Sequence, residues 1–194
     1  MSQVAIIDYN AGNVRSVEFA LRRLGVEPLL TSEEAALRAA SHVIFPGVGE
    51  ASSAMAYLRE RGLERVIPTL TQPVLGICLG LQLLCRHSEE ADTACLSVFD
   101  TEVRRFRGTE KVPQIGWNTV HHNGSPLFDG IENGAHFYFV HSFYAEPCTD
   151  QAASTEYILP FASSLERGNF HAVQFHPEKS ADAGSRLLQN FLGL

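Results

Sequence analysis

The segment Pro73-Val-Leu-Gly-Ile-Cys-Leu-Gly-Leu-Gln82 constrains the fold more than any other stretch of this chain. An apolar run ends at Ile77, a cysteine follows, and a helix-compatible run over 79–86 begins at once. The pattern predicts a strand, a tight turn and a helix, with Cys78 on the turn between Gly76 and Gly80. Flanking glycines leave room for a crowded backbone. The helix sets its positive end at the sulfur, which favours thiolate. The N–H of Leu79 then points where an oxyanion would form. Cysteine is also a common core residue, so taken alone a buried thiol is the alternative.

The rest of the first half alternates strand and helix signals. Residues 4–7, 26–30, 42–45 and 74–77 read as short buried strands. Residues 14–24 read as a helix ended by Gly25, and 51–61 as another. Ser32 reads as the cap of a short helix with Glu33 and Glu34 in its first turn. This rhythm predicts an α/β fold: a doubly wound, mostly parallel sheet with helices on both faces. Such sheets carry their sites at the C-terminal ends of the strands. The second half is strand-rich, with extended runs over 96–99, 102–106, 115–121, 137–140, 152–157, 161–165 and 171–175. Several must be antiparallel, because their connections are too short for helical crossovers. A last helix is expected over 181–192, with Leu187, Leu188, Phe191 and Leu192 on its apolar face.

A chain of 194 residues suits one domain, 1–194. A net charge of -7 without a basic run argues against nucleic-acid binding. No run approaches the ~18 apolar residues of a membrane span. Asp8 cuts short the N-terminal apolar stretch, which does not read as a signal peptide. The four cysteines form no C-x-x-C pair, so neither a disulfide framework nor a structural zinc site is expected. The chain reads as cytosolic, with reduced thiols.

A second chemical segment is Ala172-Val-Gln-Phe-His-Pro-Glu178. Pro177 favours an extended His176, and residues i and i+2 of an extended segment point the same way. Glu178 can then orient the ring of His176, whose other nitrogen faces a nucleophile. Pro46-Gly-Val-Gly49 follows the third strand, and its glycines let an N–H turn toward a substrate oxygen. Gln82 lies four residues after Cys78, on the same helical face, where a carboxamide could read a polar amino acid. His121, His122, His141 and His171 lack metal-ligand spacing, so no metal is expected.

Gly76-Ile-Cys-Leu-Gly-Leu-Gln82 together with Gln174-Phe-His-Pro-Glu178 resembles the class I, triad-type glutamine amidotransferases, whose fold is flavodoxin-like. The resemblance covers essentially the whole chain. It implies that Cys78 attacks the side-chain amide of glutamine and that His176, held by Glu178, moves the proton. It implies an oxyanion hole from Leu79 and the Gly47, Val48, Gly49 loop, and glutamine contacts from Gln82, Ser142 and Phe143. No cofactor is implied. Asp8-Tyr-Asn-Ala-Gly-Asn13, Gly116-Trp-Asn118, Tyr138-Phe-Val-His-Ser-Phe-Tyr144 and Phe175-His-Pro-Glu-Lys-Ser180 look like one branch, the glutaminase subunits of imidazole glycerol phosphate synthase. That branch implies a (β/α)8-barrel cyclase as partner in a heterodimer, which takes up the ammonia for histidine biosynthesis. Asn13, Trp117, Tyr138 and Lys179 would line the interface or the ammonia entrance. The branch usually has Gly at Asn10 and His at Gln114. The alternatives are a glutaminase subunit for anthranilate, aminodeoxychorismate or pyridoxal-phosphate synthesis, or a γ-glutamyl hydrolase.

Overall fold

The computed structural model describes residues 3–9 and 12–194, so Asn10 lies outside the described residues. The first half forms β1 (Val4–Ile7), α1 (Val14–Arg23), β2 (Leu29–Thr31), α2 (Glu34–Ala39), β3 (His42–Phe45), α3 (Ala51–Glu60), α4 (Leu63–Val66), β4 (Val74–Ile77) and α5 (Leu79–Leu84). The second half adds β5 (His87–Ser88), β6 (Thr93–Ala94), β7 (Glu102–Arg105), β8 (Gln114–His122), β9 (Ala135–His141) and β10 (Phe143–Ala145). It closes with β11 (Gln151–Tyr157), β12 (Leu159–Arg167), β13 (Phe170–Val173) and α6 (Ala181–Leu192).

The strands join in the order β2-β1-β3-β4-β13-β12-β10-β7-β5-β6, and β11, β8 and β9 branch from β12. The strands from β2 to β13 in this order run parallel, and those beyond are mostly antiparallel. All four residues of β1 are buried, and successive ones face opposite sides of the sheet. Val4 and Ile6 pack into a core shared with α1 and α6, while Ala5 and Ile7 pack into another shared with α2 to α5. Helices therefore cover both faces. Helix α1 buries Val14, Val17, Ala20 and Leu21, one stripe at helical spacing. Helix α6 does the same with Leu187, Leu188 and Phe191.

Several boundaries differ from the sequence reading, each for a local reason. β2 starts at Leu29, not at 26, because Val26 N–H is held by Leu21 O at the end of α1 (3.0 Å) and Pro28 has no N–H to pair. Ser32 does not cap α2; the hydroxyl of Thr31 accepts from Glu33 N–H at 3.0 Å instead. Residues 96–99 are not a strand. Leu96, Ser97, Val98 and Phe99 donate their N–H groups to the carbonyls of Leu83, Leu84 and Cys85, all at 2.9 Å. This hook satisfies carbonyls at the end of α5, which stops at Leu84 rather than 86. The two-residue pair β5 and β6 is too short to show a period.

What matters for chemistry is the middle of the sheet. Ile77 on β4 lies beside Val173 on β13, and Gly76 lies beside Phe45 on β3. The C-terminal ends of three parallel strands thus meet, and the next residues of each carry the candidate site.

Candidate active site

Cys78 is the hinge between β4 and α5, with φ 54 and ψ −107. A left-handed φ is rare for a residue with a Cβ and costs about 1–3 kcal/mol where it is held. Its N–H donates to Val173 O at 2.8 Å, locking the turn against β13. Gly80 lets the helix turn sit directly on β3: a Cβ there would lie 2.0 Å from Phe45 O. The obstacle is backbone and cannot swing away. Gly80→Ala is expected to cost about 3 kcal/mol and to displace the nucleophile. A denaturant midpoint within error of wild type would disprove this close packing.

Cys78 is nearly buried and opens onto a cleft of about 310 Å³. Leu79, Gln82, Ser142, Phe143 and His176 share the lining, and Val48, Gly49 and Lys179 form its rim. The expected substrate residues other than Gly47 are therefore brought together around the sulfur.

His176 is fully buried, and its N–H donates to Tyr138 O at 2.9 Å. Its Nδ1 meets Glu178 Oε1 at 2.8 Å. The route differs from the extended one read in the sequence: Pro177–Lys179 is a short 3-10 turn that folds Glu178 back onto the ring. Asn13 heads α1 but does not cap it. It is buried, and its Nδ2 donates to Glu178 Oε1 at 3.2 Å. Asn13 thus stands behind the triad rather than on an exposed face. Burial by itself would lower the His176 pKa. The charge of the Cys78 thiolate, with hydrogen bonds to Cys78 and Glu178, outweighs it and holds the ring up to about 10. His176 is therefore an imidazolium at neutral pH, placed to donate.

The N–H expected to serve as an oxyanion donor is engaged. Leu79 N–H donates to Gly47 O at 3.2 Å. Gly47 is tightly packed: a Cβ there would lie 2.2 Å from Tyr9 Oη and 2.8 Å from Leu79 Cβ. The Tyr9 phenol donates to Pro46 O at 2.5 Å, and its ring packs on Phe45. Burial, with the Cys78 charge nearby, pushes its pKa well above the ordinary value and keeps it a donor. Tyr9 therefore holds the loop with a carbonyl turned toward the site.

Gln82 does not face solvent. Its Nε2 donates to Phe143 O and to Gln174 Oε1, both at 3.1 Å, which leaves its Oε1 for a ligand. His141, which lacks metal-ligand spacing in the sequence, has Nδ1 on Phe143 O at 2.7 Å and Nε2 on the Gln114 side chain at 2.9 Å. Burial pushes its pKa down to about 4, so the ring is neutral at pH 7. Phe143 O can only accept, so the proton sits on Nδ1. Nε2 then accepts from the amide N–H of Gln114, whose amide ends interchange by a half-turn. Among the described residues no group of three or more His, Cys, Asp or Glu could hold a metal ion. No helix among them is long and apolar enough to cross a membrane.

Beside the cleft rim, β8 exposes Ile115 and Trp117, at 58% and 52% of their surface. Trp117 meets the ring of Tyr138 edge-on at 6.0 Å, so it is not the core aromatic its type suggests. Lys179 is exposed at the same rim. Tyr9, Gln174 and His141 were not read as site residues from the sequence. Gln174 stood inside the quoted His-Pro-Glu segment, but only the pairing of β4 with β13 puts it beside the sulfur.

Known proteins resemble this chain along nearly its whole length. The family model for glutamine amidotransferase class-I matches residues 5–193. The imidazole glycerol phosphate synthase subunit HisH of Bacteroides fragilis (strain YCH46) is 54% identical over 195 residues, covering 99% of this chain and 100% of that one. The subunit of the same name from Vibrio cholerae is 48% identical, covering 98% of each. Among solved structures, a glutamine amidotransferase from Thermotoga maritima aligns with a TM-score of 0.66. It is 19% identical and the alignment covers 99% of this chain and 83% of that one, a likeness of fold.

Proposed function

Because the chain belongs to the class-I glutamine amidotransferase family, we propose that it is the glutaminase subunit of an imidazole glycerol phosphate synthase. The observation that carries this reading is the Cys78–His176–Glu178 alignment in a cleft beside an exposed apolar ridge. The high identity to HisH subunits supports the choice of synthase.

The chemistry follows from the site. The Cys78 thiolate attacks the side-chain amide carbon of glutamine, and negative charge moves to the oxygen. His176 gives its proton to the departing nitrogen, and ammonia leaves. A γ-glutamyl thioester remains on Cys78. The neutral His176 then takes a proton from water as the oxygen attacks the thioester. Glutamate departs and the thiolate–imidazolium pair is restored. Gln82 Oε1, Ser142 and Phe143 hold the amino-acid end of the substrate.

The partner is a (β/α)8-barrel cyclase, joined to this chain as a cytoplasmic heterodimer. Ile115, Trp117 and Tyr138 suit the apolar centre of such an interface, with Lys179 at its charged edge. The cyclase joins ammonia to a phosphoribulosyl-formimino aminoimidazole carboxamide ribotide. Imidazole glycerol phosphate and aminoimidazole carboxamide ribotide result. In the free chain, Gly47 O occupies the Leu79 donor. One peptide flip would free that N–H and present the N–H of Val48 as a second donor. Docking of the cyclase biases this flip.

Glutamate release by the purified chain is expected to rise ~10²–10³-fold when the cyclase and its nucleotide substrate are added, the worth of an oxyanion donor. An equal rate with and without them would sink the proposal. A rise with an anthranilate, aminodeoxychorismate or pyridoxal-phosphate synthase alone would move the chain to another pathway. Full activity alone on γ-glutamyl amides would make it a stand-alone hydrolase.

A further inference from the structure

The sulfur of Cys78 has a polar neighbour that the triad does not include. Gln174 is the first residue beyond β13, and the pairing of Ile77 with Val173 places it next to Cys78. Its Nε2 lies 3.7 Å from Cys78 Sγ, and its side chain is fully buried. Besides His176, the sulfur also meets Val140 O at 3.8 Å, an acceptor that favours the thiol over the thiolate.

Which end of the Gln174 amide faces the sulfur follows from a chain of constraints. Phe143 O can only accept, so the Gln82 group facing it at 3.1 Å is its NH2. The same nitrogen lies 3.1 Å from the Gln174 side chain and has a second proton to give. It therefore faces Gln174 Oε1, and the Gln174 NH2 is left pointing at Cys78. A backbone carbonyl, whose polarity is never in doubt, fixes two amide orientations in turn.

We infer that Gln174 donates a hydrogen bond to the Cys78 thiolate and is thereby a further determinant of its reactivity, with Gln82 as the positioning residue that fixes the Gln174 amide. Gln174 offsets the opposing carbonyl of Val140. A hydrogen bond to a charged group is stronger than one to a neutral group, so the bond favours thiolate over thiol. Gln82 therefore has two tasks, since its Oε1 faces the ligand while its Nε2 holds Gln174. The inference deepens the glutaminase reading and rests on it for biological meaning.

The test uses the full chain and iodoacetamide, a neutral reagent that requires neither glutamine nor a partner. The rate of Cys78 alkylation is measured as a function of pH, with the modified site read by mass spectrometry. Cys95, pushed up to about 11 by burial, is distinguished in the same spectra. Gln174→Met keeps the length of the side chain and removes the donor. It is expected to raise the pH midpoint of the Cys78 alkylation profile by about one unit. A midpoint that does not move, or that moves down, overturns the inference. Should Gln174→Met melt early, Gln82→Met gives an independent reading. It frees the Gln174 amide and is expected to raise the midpoint in the same direction, and an unchanged midpoint overturns the inference. Alkylation does not report on glutamine turnover. Failure of glutamate release therefore rejects the glutaminase reading, and failure of the midpoint to rise rejects this one.

Discussion

Cys78→Gly is expected to melt later than Cys78→Ala and to hydrolyse no measurable glutamine. The two effects come from the same backbone angle. Cys78 is held at φ 54, where a Cβ is crowded and glycine is not. Glycine relieves strain of about 1 kcal/mol, a rise of ~2–4 °C in a chain of this size. Losing the thiolate removes the covalent route altogether, a loss of ~10⁴-fold or more. Cys78→Ala is the reference: it keeps the strained turn, loses the same activity and lacks the same ion pair to His176. Differential scanning calorimetry and glutamate release on the three proteins test both halves. A Cys78→Gly protein that melts no later than Cys78→Ala would mean that the turn is relaxed.

His176→Ala is expected to cost ~10³–10⁴-fold in glutamine hydrolysis, because it removes the proton donor to ammonia and the base for water. Wild-type turnover should persist through neutral pH and fall as pH passes about 10, where the imidazolium is lost. Stability follows the same sign. The folded pKa of His176 lies above its ordinary 6.5. Its contribution is therefore complete below 6.5 and is lost as pH rises through about 10. Urea unfolding of wild type and His176→Ala at pH 7 and pH 10 isolates it. If wild type weakens no more than the variant between those values, the ion pair adds nothing to the fold.

The site was legible where its parts are neighbours in the chain. The Gly-x-Cys-x-Gly turn and the His-Pro-Glu segment each carry their chemistry within a few residues, so residue type and spacing sufficed. The alternation of short strands and helices foretold the parallel sheet and the helices on both faces. What escaped depends on register between distant segments. Gln174 and Cys78 are 96 positions apart and meet through β13 and β4. Asn13 reaches Glu178 across 165 positions. Tyr9 acts through a main-chain oxygen, which no residue type announces. The 96–99 hook is apolar enough to pass for a strand, but its hydrogen bonds serve the end of a helix.

The contact between Leu79 N–H and Gly47 O is made entirely by main chain. A latch of that kind is hard to delete by point substitution, since every replacement residue supplies the same carbonyl and proline alone lacks the amide. Selection can alter its torsional preference through Gly47 or its clamp through Tyr9, but cannot strip the groups away. Under the proposed function, this makes idleness the more heritable state. A lineage that loses its cyclase would retain a quiet protein, not one that drains glutamine from the cell.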